Sequence, residues 1–207
     1  IQMKALTNIL KYFVFPVIIV ALGYVLVASI MKPVRFENEV DRRKDVAVER
    51  LKAIRTLEVA FKGEHGRFTA SLDSLVDFYN NGEMTVIRQI GSMDDSLAVA
   101  QKRVRRDTLK VAIKDTLFND QPNFIIDSIK YIPYANGKEI TLDAVVKTVS
   151  GVNVPLFEGT ISYDDLLRGL DRQLIINLKA AQEDLGRYTG LKVGSVTTPN
   201  NNAGNWE

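Results

Sequence analysis

Tyr12–Met31 reads YFVFPVIIVALGYVLVASIM, a run without an acid or a base, bounded by Lys11 and Lys32. At a rise of about 1.5 Å per residue, such a run covers about 30 Å as a helix, the thickness of a bilayer's hydrocarbon core. No water satisfies backbone groups in that layer, so a lone span must be α-helical. The segment is read as an uncleaved transmembrane anchor whose Tyr12, Phe13, Phe15, Ile18, Ile19, Leu22, Tyr24, Leu26 and Ile30 meet lipid, with Tyr12 placed as an interfacial ring. A cleavable signal peptide would share the basic start at Lys4 and Lys11, but its apolar core runs only about 7–15 residues.

Beyond the span, Lys32-Pro33 is expected to interrupt the helix, because proline lacks an N–H and pushes its predecessor out of the α region. Helical signals resume near Asn38 and run to Lys62. Ala47, Leu51, Ile54, Leu57 and Phe61 recur at spacings of four, three, three and four, which lays one apolar stripe along a helical neck. That stripe must bury against a sheet of the same chain or against other helices. Gly63 and Gly66 are expected to end the helix, and Ser71 or Thr69 to cap a short one through Leu72, Leu75, Val76 and Tyr79.

From Glu83 the period changes to that of strands. Met84–Ile90 reads as a strand, a short helix is expected at Leu97–Gln101, and a second strand is expected through Val111 to end near Phe118. Asn136-Gly137 is a preferred tight-turn pair and predicts a hairpin between Phe124–Tyr134 and Glu139–Val149. Gly151 then permits a reversal into Val152–Leu156. The fold class is α+β: a transmembrane helix (1–33), an amphipathic neck with a short helix (34–82), an antiparallel sheet domain (83–196) and a loosely held polar tail (197–207). Ser162 is expected to cap a helical turn, Ala180–Arg187 to be helical and Leu191–Val196 to form a last strand.

The amphipathic neck ending in GEHGRFTASLDSL, Leu51–Leu75, resembles type IV pilins and type II secretion pseudopilins, over about the first 80 residues. The resemblance implies a neck helix packed on an antiparallel sheet, an inner-membrane anchor with a periplasmic domain, and assembly through the N-terminal helix. No GFTLIE-type prepilin motif and no acid at the start of the apolar helix accompany it, which favours a non-filamentous accessory subunit of an envelope complex as the alternative. The rest of the chain is similar to single-pass envelope proteins of Gram-negative bacteria that end in an asparagine-rich tail. Basic residues flank both ends of the span, and counted alone they would place the C-terminal side in the cytoplasm.

The chemistry-bearing residues are sparse. Cysteine is absent, which excludes disulfides and thiolate sites, and His65 is the one histidine. Asp94-Asp95 and Asp164-Asp165 are adjacent acids that do not face each other and suit helix starts. Lys102-Arg103-Val104-Arg105-Arg106 and Trp206 are candidate partner contacts, although no aromatic interleaves the basic run to stack bases. With a net charge of +2 and no nucleotide or hydrolase motif, the expectation is a non-enzymatic protein without cofactor or metal. Its expected partners are the bilayer and other protein subunits, not nucleic acid.

Overall fold

The structure is a computed structural model and describes residues 13–90, 105–121, 124–149 and 151–207. The chain is α+β, with a long apolar N-terminal helix and antiparallel sheets. Helix α1, Phe15–His65, is continuous over 51 residues, or about 76 Å. Pro33 lies inside it, so the expected interruption does not occur. Its missing N–H costs one hydrogen bond, and strong helical sequence on both sides carries the rod past it.

Gly66 ends α1 in the left-handed conformation (φ 71°), donating its N–H to the Lys62 carbonyl. Gly63, expected to share that role, is helical. Ser71 caps α2, Leu72–Asn81, by accepting from the Ser74 N–H. Strands β1, Glu83–Ile90, and β2, Arg105–Ala112, form an antiparallel ribbon. β2 starts earlier and stops earlier than its pattern predicts: Ile113–Asp115 turns into a 3-10 segment because fully buried Ile113 drops into the core beside α2. The helix expected at Leu97–Gln101 lies outside the described residues.

The Asn136-Gly137 turn forms, with φ of 51° and 82° and the Lys138 N–H donating to the Ala135 carbonyl, as a primed turn requires. Its first arm is not a strand. Ile126–Lys130 is a 3-10 helix, and the hairpin shrinks to a single bridge between Tyr131 and Glu139. Ile129 and Ile132 are buried there, and inward packing at a spacing of three outweighs the pairing that the turn invites. The second predicted hairpin does form: β3, Thr141–Val149, pairs with β4, Val152–Ser162, and Gly151 takes φ 82° at the reversal.

β4 also pairs with β5, Gly190–Gly194, giving the order β3-β4-β5. Between them lie α3, Tyr163–Leu166, capped by Ser162, and α4, Arg172–Asp184, capped by Asp171. α4 starts before the expected Ala180–Arg187 helix and ends at Asp184, within it. The neck half of α1 lies across this sheet. Gly159 admits the close approach: a Cβ there would stand 3.2 Å from Val193 and 3.6 Å from Leu51. Ala47, Leu51, Ile54 and Leu57 are fully buried against Phe157, Ile161 and Val193, while Phe61 packs at the margin on Phe78.

The C-terminal tail is not loose, contrary to expectation. Asn201 and Asn202 both take positive φ, which asparagine tolerates, and the Ala203 N–H closes the turn onto the Asn200 carbonyl. The returning strand bridges Val193 to Gly204, and the Asn205 N–H donates to the Lys192 carbonyl. The outer edge of β5 is thereby covered.

Candidate functional site

α1 has two chemically distinct halves. Up to Met31 its apolar side chains stand exposed around the whole circumference, with Phe15 at 53% and Tyr24 at 76%. Phe13, Ile18, Ile19, Leu22, Leu26 and Ile30 are exposed with them, and Tyr12 lies outside the described residues. By length and composition this portion is long and apolar enough to cross a membrane, with a mean hydropathy of 2.2 over its most apolar window. A helix apolar all round needs an apolar solvent, whether lipid or other apolar helices.

The change of character comes at Lys32. Its ammonium meets the Asp171 carboxylate at 2.8 Å, and that contact, with the N–H groups of Leu174 and Gln173, holds the carboxyl below its usual range. The N-terminus of α4 is therefore fastened where the apolar half ends. Farther along, Arg43 bonds Glu39 at 2.8 Å and donates to the carbonyls of Leu166 and Arg168, so the chain after α3 is strapped to the neck.

Glu58, which the sequence reading passed over, is the deepest charge-bearing group among the described residues. It is fully buried; the Thr69 N–H donates to Oε2 at 3.1 Å, and Oε1 has no partner. Burial pushes its carboxyl up to about 8, against the smaller downward pull of the Thr69 N–H. The sequence did carry a signal: Glu58 falls four residues after Ile54 and seven after Leu51, on the apolar stripe itself.

The other candidates resolve into packing. His65 stacks on Phe61 at 4.1 Å and meets the edge of Phe78, so its ring packs at the end of the helix. Asp165 lies at the start of α3. Burial opposes its charge, but hydrogen bonds from Lys138 and Ser162, both 2.7 Å, outweigh that and keep its carboxyl low. Asp164 pairs with Lys179 at 2.5 Å. Asp94, Asp95, Lys102 and Arg103 lie outside the described residues. Arg105 and Arg106 open β2, opposite Ile90 and Gln89. Among the described residues no cluster of three or more histidines and acids could hold a metal.

Trp206 is not a free aromatic in a loose tail. Its indole packs against the core and over Gly204, where a Cβ would stand 2.4 Å from the ring. The following Glu207 pairs with Arg55 of the neck at 2.6 Å. Trp206, Tyr188, Tyr163, Lys44, Arg187 and Lys192 border an open groove of about 660 Å³. Two of its cations are already engaged, Lys192 by Glu158 and Lys44 over the Tyr163 face.

Trp206→Ala is expected to destabilise the fold by about 2 kcal/mol, below the cost of truncating a fully buried tryptophan. It should also speed amide exchange at Lys192 and Asn205. Unchanged exchange there would mean that the asparagine turn and the Arg55–Glu207 pair hold the tail unaided. Comparisons with protein-family models, with curated proteins and with solved structures found no match to this chain.

Proposed function

We propose that this chain is a single-pass bacterial inner-membrane protein with a structural, assembly role and a periplasmic folded domain. The observation that carries the reading is the division of α1. One half is apolar and uncovered on every side, and the other is the spine on which an α+β domain is built. The bilayer is the first partner, and other protein subunits are the second. The reading is non-enzymatic and involves neither cofactor nor nucleic acid.

Its finer form is a pilin-like or pseudopilin-like subunit. Support comes from the sequence likeness over Leu51–Leu75 and from a sheet lying across the second half of one long helix. A second reading, a non-filamentous accessory or adaptor subunit of a larger envelope complex, is favoured by the lack of an acid at the start of the apolar helix. Imaging the full-length protein after mild detergent extraction separates the two. Regular filaments are expected of a pilin-like subunit, and discrete particles containing unrelated chains of an accessory one. Orientation is read by protease treatment of spheroplasts: a periplasmic domain is digested, whereas protection would reverse the assignment.

A further inference from the structure

An open groove of about 410 Å³ runs along α1 where its apolar half ends, bordered by Tyr24, Val27, Ala28, Met31, Lys32 and Arg35. Tyr24, Ala28, Met31 and Arg35 recur at spacings of four, three and four, so they share one face of the helix. Ala28 supplies the depth, because its methyl keeps the floor low between the Tyr24 ring and the longer side chains one turn on. The walls toward the N-terminus carry no charge, and the C-terminal rim is two cations. One end of the groove therefore suits hydrocarbon and the other suits an anion.

The acids near that rim are engaged elsewhere. Asp171 takes the Lys32 ammonium at 2.8 Å and accepts the N–H groups of Gln173 and Leu174. One turn beyond Arg35, Glu39 is bonded by Arg42 and by Arg43, each at 2.8 Å. Glu37 stands about 200° round the helix from Arg35. Among the described residues exposed Arg35 makes no ion pair. The Lys32 side chain is 67% exposed, and an ammonium with three N–H groups keeps donors to spare. Arg172, next to Asp171, is exposed as well and adds positive charge at this end of α4.

We propose that this groove binds a phospholipid with a net negative headgroup, its phosphate held by Lys32 and Arg35 and one acyl chain lying over Ala28 toward Tyr24. The heights agree. Lys32 and Arg35 lie within about 6 Å of Met31 along the helix axis, and the headgroup layer outside each face of the hydrocarbon core is about 5–8 Å thick. A guanidinium meets two phosphate oxygens at once, and each cation at an anionic surface adds attraction. A zwitterionic headgroup would bring a cation of its own beside the pair, and a free phosphate would leave the apolar walls unused. The site rests on the membrane-anchor reading, which sets the height of the groove in the leaflet.

The test titrates the full-length protein in a neutral detergent with phosphatidylglycerol and reads bound lipid by native mass spectrometry. Phosphatidylglycerol is expected to be retained, phosphatidylcholine to bind far more weakly, and inorganic phosphate to displace neither. Arg35→Gln is expected to lower phosphatidylglycerol affinity about five-fold, the worth of one cation near an anionic surface, and Arg35→Lys to keep most of it. Ala28→Leu fills the notch without touching the charge and is expected to weaken binding several-fold. Arg67→Gln removes an exposed cation beyond the far end of α1, more than about 45 Å along the rod, and should change nothing. All three positions are exposed, so the fold is not at stake in these variants.

Equal affinity for the two lipids, displacement by inorganic phosphate, an equal loss in Arg67→Gln or unchanged binding in Ala28→Leu overturns the site. Fractionating the same cells reads the anchor separately. A chain recovered in the soluble fraction that still selects phosphatidylglycerol would sink the membrane reading and leave the site standing. A membrane-bound chain without that selectivity would do the reverse.

Discussion

Replacing Glu58 with glutamine is expected to make the stability of the folded domain nearly independent of pH between about 5 and 8, where the wild-type chain should lose stability steeply. The carboxyl titrates near 4.5 when unfolded and near 8 when folded, because burial disfavours its charge. Below pH 4.5 both states are protonated, and the group adds no pH dependence. Between the two values the unfolded chain has released its proton while the native one retains it. The unfolded state therefore binds fewer protons, and stability falls as pH rises. Above about 8 the native group ionises as well, and the slope disappears.

The integrated loss is on the order of 4–5 kcal/mol at most, a large share of the stability of an ordinary domain. Glu58→Gln keeps an oxygen to accept the Thr69 N–H and cannot ionise. It should match the wild type near pH 5 and exceed it by several kcal/mol near pH 8.5. Urea titrations of the full-length chain in detergent at those two pH values decide the matter. An equal slope in both proteins would show that Glu58 is solvated or paired in the native state.

Leu51→Ala is expected to cost about 3–5 kcal/mol, because the side chain is removed from the contact between neck and sheet. Leu51 is fully buried, and Gly159 and Val193 approach it from β4 and β5. A helix fixed at many points along a sheet cannot settle into the space left, so a cavity persists. Val59→Ala, a truncation on the same helix at a half-exposed position, should shift stability by no more than about 0.5 kcal/mol. Comparable losses at both positions would mean that the neck is not the spine of the core.

Much of the helical architecture was legible because its causes are local. An unbroken apolar run, a stripe at spacings of three and four, Ser71 and Ser162 as caps and Gly66 as a left-handed stop each act within a few residues. The β3–β4 reversal at Gly151 was legible for the same reason. What misled was competition between a local preference and a distant partner. Pro33 disfavours a helix, yet the rod continues through it. Asn136-Gly137 predicts a strand over Phe124–Tyr134, yet Ile129 and Ile132 are drawn into the core and leave a 3-10 turn. Asn200–Asn202 reads as a polar tail, yet the turn it builds returns the chain to the open side of β5.

The sequence by itself determined that the chain has an apolar helix long enough to span a bilayer, an amphipathic continuation of it and an antiparallel α+β domain. Length, charge exclusion and periodicity are properties of short windows and need no partner. Only the tertiary structure decided that Glu58 is sealed in the core, that Trp206 is packed and not presented, and that the tail covers the β5 edge of the sheet. Each of these depends on which segment arrives from far along the chain, and no local pattern encodes that arrival.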